Sequence, residues 1–142
     1  NHSSAASDVY KRQGLNDDDC IRIEESGYLN GLVDLFFRSN EKYYVLDWKS
    51  NKLGGSSEGF GPKEIEREML THHYILQYHL YAVAAHRFLK YRMMDYSYER
   101  NFGGAYYLFV RGMKVGSEKG IYFDLPDLPT IEALESYLVT GK

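Results

Sequence analysis

Two aspartates and a lysine stand where apolar strands seldom carry charge. Asp34 lies inside the apolar run that opens Gly31-Leu32-Val33-Asp34. Asp47 closes Tyr44-Val45-Leu46-Asp47, and Lys49 follows two residues on in Trp48-Lys49-Ser50. Strands rich in Val, Leu, Tyr and Phe are poor in carboxylates, and two carboxylates on neighbouring strands repel unless a cation lies between them. Hard divalent ions take oxygen donors, often one or two carboxylates with water and phosphate completing the shell. Such an ion with a lysine beside it suits the hydrolysis of a phosphodiester.

The elements that must position these residues follow from the pattern around them. Leu32 to Phe37 and Tyr43 to Trp48 read as antiparallel strands joined by the turn Ser39-Asn40-Glu41-Lys42. With Asn40 and Glu41 as the two central turn residues, Asp34 falls opposite Asp47. Opposed Cβ atoms lie about 4.5–5.5 Å apart, close enough to share an ion. Side chains alternate, so Lys49 shares the face of Asp47, with Leu32, Phe36, Tyr43 and Val45. Val33, Leu35, Phe37, Tyr44, Leu46 and Trp48 fall on the other face. Both faces are apolar, as in a sheet covered on both sides. A slip of one residue in the turn would separate the two aspartates.

Before the hairpin, Ile21 to Glu24 reads as a strand with a turn near Ser26-Gly27. After it, Asn51 to Gly61 is a Gly- and Ser-rich loop. Pro62 suits the first turn of a helix, with Glu64 and Glu66 near its positive end. Helical periodicity runs to about Arg92 with a break near His72 to Tyr74, so two abutting helices fit as well as one. Tyr96 to Phe102 is polar and irregular. Gly104 to Val110 reads as a buried strand, Gly120 to Phe123 as a short edge strand, and Pro129 to Val139 as an amphipathic helix. Strands, then helices, then strands and a helix make an α/β layered domain with a mixed sheet.

The chain of 142 residues has room for one domain with a real core. A net charge of −3 and a pI of about 6.0 argue against a free-standing, high-affinity nucleic-acid binder, but not against a catalytic module to which substrate is delivered. The single cysteine, Cys20, excludes an internal disulfide and a cysteine-based zinc site, and fits an intracellular setting. No apolar run reaches membrane-spanning length, and no signal peptide is visible. Residues 1–19 are Ser-, Ala- and Asp-rich without periodicity, and Ser3 to Gln13 resembles translated adapter sequence. They are expected to be a non-native or disordered leader, ahead of a partial domain over 20–142.

The remaining residues of chemical interest are less specific. Gln77 and Tyr81 share one helix face, which spacing alone would read as a core stripe. His72, His79 and His86 are seven residues apart. On a helix that is a rise of about 10.5 Å per step, too far for one ion with zinc–nitrogen bonds of about 2.0–2.1 Å. Lys52, Arg87, Lys90, Arg92, Arg111 and Lys114 could meet phosphates but are scattered, Lys52 being best placed because it follows the site. The fourteen tyrosines sit mostly in apolar runs such as Tyr43-Tyr44 and Tyr106-Tyr107, which favours packing over stacking on bases.

From about Ser26 to Val139 the chain resembles the RecB-type nuclease domains of exodeoxyribonuclease V beta subunits, within the PD-(D/E)xK nucleases of restriction-endonuclease-like fold. The resemblance is carried by Gly27-Tyr28-Leu29-Asn30-Gly31-Leu32-Val33-Asp34-Leu35, Leu46-Asp47-Trp48-Lys49-Ser50-Asn51, Leu76-Gln77-Tyr78-His79-Leu80-Tyr81 and Phe102-Gly103-Gly104-Ala105-Tyr106-Tyr107-Leu108-Phe109-Val110-Arg111-Gly112. It implies a mixed central sheet flanked by helices. It implies that Asp34, Asp47 and the main-chain carbonyl of Trp48 hold Mg²⁺, for which Mn²⁺ can substitute. Lys49 would position or help deprotonate the attacking water, or stabilise charge in the transition state. Gln77 and Tyr81 match a Gln-x-x-x-Tyr motif bordering the active site.

The resemblance further implies a DNA exonuclease acting in double-strand break repair and recombination as part of a bacterial, cytoplasmic helicase–nuclease. ATP would serve only the helicase part, absent here, and RecC-like and RecD-like subunits would be partners, with no membrane. The family's upstream histidine and further acidic residue have no counterpart in this chain, so the metal site is expected to be incomplete. The alternatives are a stand-alone exonuclease of the same superfamily, or a DNA-binding or assembly module with a dead site. A purely structural salt bridge would leave two carboxylates for one ammonium in an apolar sheet, at a cost.

Overall fold

The computed structural model describes residues 22–24, 28–30, 32–53 and 57–141. The expected leader at 1–19 and the turn near Ser26-Gly27 lie outside them. Strand β1 (Arg22–Glu24) pairs antiparallel with β2 (Tyr28–Asn30), and the two form a sheet of their own.

The central sheet starts with the hairpin of β3 (Leu35–Ser39) and β4 (Lys42–Lys49). Its turn has Asn40 at φ 48° and Glu41 at φ 66°. Both central residues are left-handed, the twist-matched geometry of a two-residue hairpin turn. The turn fixes the register anticipated from the sequence, with Leu35 opposite Leu46 and Ser39 opposite Lys42. The first strand is shorter than expected, because Leu32 to Asp34 lie outside the ladder.

Helix α1 (Pro62–Thr71) and helix α2 (Tyr74–Arg92) follow, separated where His73 adopts φ 57°. A left-handed residue cannot continue a right-handed helix, so the periodic stretch becomes two helices. Tyr96 to Phe102, expected to be irregular, contains one helical turn, α3 (Tyr98–Asn101), whose first turn is capped by the Ser97 side chain. Then β5 (Phe102–Phe109) lies parallel to β4, and β6 (Ile121–Asp124) is antiparallel to β5 at the sheet edge. The order is β3-β4-β5-β6. Parallel neighbours need a long crossover, and α1 to α3 supply it. Helix α4 (Leu128–Thr140) closes the chain, with Asp127 capping its start, Pro129 in its first turn and Gly141 at φ 71° past its end.

One face of the sheet carries Val45, Ala105, Tyr107 and Phe109, all buried. Onto it pack Ile65 and Met69 of α1, Tyr78 and Ala82 of α2, Tyr98 of α3 and Ile131 of α4. Every described helix contributes to that one core. The other face bears an aromatic row running from strand to strand, Phe37–Tyr44–Tyr106–Phe123, with Leu35, Trp48 and Phe123 exposed. No helix among the described residues is long and apolar enough to cross a membrane.

Candidate active site

Asp34 sits in a bend one residue ahead of β3. Its Oδ2 accepts the Trp48 N–H at 2.8 Å, so the side chain takes the ladder position that Val33 would have filled had the strand continued. Asp side chains compete with strand ladders in this way. The same bond explains why β3 begins at Leu35. Trp48 points its backbone away from β5, as its neighbour Lys49 accepts the Val110 N–H from that side. A strand residue's N–H and C=O point the same way, so the Trp48 carbonyl opens toward Asp34. The Trp48 indole lies on the opposite face, half exposed.

Asp47 is 5% exposed, near the end of β4, and its Oδ2 lies 2.5 Å from the Lys49 ammonium. Burial raises its pKa, the adjoining Asp34 carboxylate raises it further, and Lys49 opposes both. The result is a rise from 3.8 to about 7. One ammonium therefore does not neutralise this pair. Two carboxylates converge there, one buried and one exposed, with a main-chain carbonyl beside them. A hard oxygen-seeking cation fits such a donor set. Among the described residues no third His, Cys, Asp or Glu completes a cluster.

Lys49 is held from several sides. Its Nζ lies 3.3 Å from Gln77 Oε1, 4.1 Å from the centre of the Tyr74 ring and 5.2 Å from that of Tyr107. Ring faces attract ammonium groups at these distances. Gln77 is thus placed beside Lys49. Tyr81, its motif partner, meets neither carboxylate by hydrogen bond. It donates to the Leu32 carbonyl at 2.7 Å and so anchors the strap that leads into Asp34. Helix α2 presents Tyr74, Gln77, Tyr78 and Tyr81 to the sheet because residues three and four apart share a face.

Several contacts escaped the sequence reading. Tyr107 donates to Gln77 Oε1 at 2.7 Å. Asn51 bridges Tyr74 and Glu68, donating to Glu68 Oε1 at 2.7 Å. Arg111 donates to the Ser50 carbonyl at 2.7 Å, which fixes the chain as it leaves Lys49. The only signal for Tyr107 was its strand parity with Ala105 and Phe109. Among the other basic residues, Arg87 and Lys90 pair with Glu135 across α2 and α4 rather than standing free for phosphates. These histidines serve the helix surface and packing: exposed His72 pairs with Glu68, His79 stacks on Tyr78, and buried His86 bonds Tyr96.

A mixed sheet flanked by helices, with Asp34 ahead of one strand and the Asp47-Trp48-Lys49 triplet ending the next, has the restriction-endonuclease-like arrangement. No protein-family model matches the chain. Among curated proteins it is similar to the RecBCD enzyme subunit RecB of Escherichia coli K12, 44% identical over 114 residues, which is 80% of this chain and 10% of that protein. The RecB subunit of Haemophilus influenzae is 41% identical over 109 residues, 77% of this chain and 9% of the relative. That of Mycobacterium tuberculosis H37Rv is 37% identical over 124 residues, 82% and 11%. Through this segment the chain belongs to the RecB family, and it spans about a tenth of the length of these relatives.

Proposed function

We propose that this chain forms the DNA-cutting centre of a RecB-type exonuclease and hydrolyses phosphodiester bonds during double-strand break repair and recombination. The observation that carries the reading is the convergence of Asp34, Asp47 and Lys49, with the Asp47 carboxyl pushed up to about 7 against the pull of its own ammonium partner. A site held at that cost without a cation is a site made for one.

Asp34, Asp47 and the Trp48 carbonyl would hold Mg²⁺, or Mn²⁺ in its place. When bound, such an ion acidifies water and screens charge developing on phosphorus oxygens. Trp48 N–H fixes the Asp34 carboxylate, and the Leu32–Tyr81 bond fixes the backbone ahead of it. Lys49 places a positive charge beside Asp47, where it can orient the attacking water or meet the phosphate. Exposed Lys52, three residues on, is available to the DNA backbone. The relatives are subunits of a RecBCD enzyme, which points to RecC-like and RecD-like partners, and ATP would serve only the helicase part of such an assembly.

The test is a linear duplex DNA assay on the full-length parent protein with a divalent-ion titration. Cutting should appear with Mg²⁺ or Mn²⁺ and vanish with EDTA. Cutting that persists undiminished in EDTA would refute the reading.

A further inference from the structure

The ammonium of Lys49 is a donor only, so Gln77 must face it with the carboxamide oxygen and not the nitrogen. One contact at 3.3 Å is a weak lock for that choice. The Tyr107 hydroxyl supplies a second donor to the same oxygen at 2.7 Å. Tyr107 is 1% exposed, and burial holds its pKa well above the usual tyrosine range, so it stays a neutral O–H donor. Its ring, with that of Tyr74, also forms the wall behind the ammonium. The Tyr74 hydroxyl is tied in turn to Asn51 at 3.2 Å. With both donors on the oxygen, the Gln77 amide nitrogen is turned away from Lys49.

We propose that Tyr107 is a positioning residue for phosphodiester hydrolysis: its hydroxyl fixes the Gln77 carboxamide, and through that oxygen it sets where the Lys49 ammonium stands beside Asp47. The inference rests on the nuclease reading above. Tyr107 touches neither donor carboxylate by hydrogen bond, so it acts on the position of the lysine and not on cation binding.

The test uses Tyr107→Phe, which keeps the ring and the packing, in two backgrounds: wild type and Gln77→Glu. A carboxylate offers oxygen whichever way it turns, so Gln77→Glu makes the orienting hydroxyl unnecessary. In the wild-type background Tyr107→Phe should lower kcat about tenfold, the worth of one good hydrogen bond, with KM for DNA and the Mg²⁺ midpoint held within about twofold. In the Gln77→Glu background the same change should cost less than about twofold, a non-additivity expected of residues acting as one unit. Independently of activity, the Gln77 side-chain amide signals in a ¹⁵N NMR spectrum should shift or broaden in Tyr107→Phe. Equal losses in both backgrounds, or unchanged kcat with unchanged amide signals, overturn the proposal while leaving the nuclease reading in place. A wild-type protein that cuts no DNA with any divalent ion overturns the nuclease reading itself, and this inference with it.

Discussion

The hydroxyl of Tyr81 reaches from the middle of α2 to the carbonyl of Leu32, 2.7 Å away, and so ties the helix to the strap that carries Asp34. Tyr81 is buried, and burial holds its phenol in the neutral donor form. Its role in the site is indirect: it fixes where the first carboxylate can stand. Tyr81→Phe should lower stability by about 1 kcal/mol and raise the Mg²⁺ concentration needed for half-maximal cutting several-fold. At saturating Mg²⁺ the rate should approach that of wild type. Thermal melts beside a Mg²⁺ titration of activity check this.

Asp47 makes stability depend on pH. Its carboxyl titrates near 3.8 unfolded and is pushed up to about 7 in the fold. Between those values the folded state holds the extra proton. The contribution of this group to stability is therefore complete below pH 3.8 and is lost as pH rises through 7. Without divalent ions, Asp47→Asn should melt several degrees above wild type at pH 8, and the gap should narrow at pH 5 and close only below about pH 4. Adding Mg²⁺ at pH 8 should stabilise wild type and leave the variant unmoved, since the ion binds the deprotonated site. Melting curves at the two pH values, with EDTA and with Mg²⁺, decide the sign.

Glu41 at φ 66° carries the strain that a side chain meets in the left-handed region. Glu41→Gly should raise stability by about 0.5–1 kcal/mol, the relief of that strain less the greater freedom of glycine unfolded. Activity should not change, because the turn lies at the end of the hairpin away from Asp34 and Asp47. Chemical denaturation and the DNA assay test both halves.

Gly104 is at φ 127°, and a Cβ there would come within 2.8 Å of the Asp124 carbonyl oxygen and closer still to the Phe123 ring. Gly103, where the β4–β5 register shifts, has the Tyr44 ring in the same relation. Gly104→Ala should cost more than about 2 kcal/mol, as backbone strain and overpacking add. A denaturation midpoint equal to wild type would contradict this packing of β5 against β6.

The hairpin register was legible because one two-residue turn and strict alternation set it together. Those two features alone put Leu35 across from Leu46 and Lys49 on the same face as Asp47, while Asp34, expected across from Asp47, lies outside the ladder. The bend at Asp34 was not legible, since it arises from a side chain displacing a backbone partner at Trp48. Neither was the Lys49 cage. Tyr107 comes beside Asp47 only through the parallel β4–β5 pairing, and Tyr74 only through the turn of α2 toward the sheet. Contacts made across a crossover of this length leave no local pattern. Helix α3 was missed because four residues are too few to show periodicity.

On the proposed reading Asp47 binds the ion and Lys49 does not, while both are needed for cutting. Asp47→Ala and Lys49→Ala should be compared in one experiment that measures Mn²⁺ binding by calorimetry and cutting of linear duplex DNA with Mg²⁺. Both variants should lose cutting, Asp47→Ala should also lose the ion, and Lys49→Ala should keep it. Lys49→Arg should not restore full activity, because a planar guanidinium cannot stand in for a compact ammonium at a fixed point. Undiminished cutting by Asp47→Ala, or loss of the ion in Lys49→Ala with retention in Asp47→Ala, would contradict that reading.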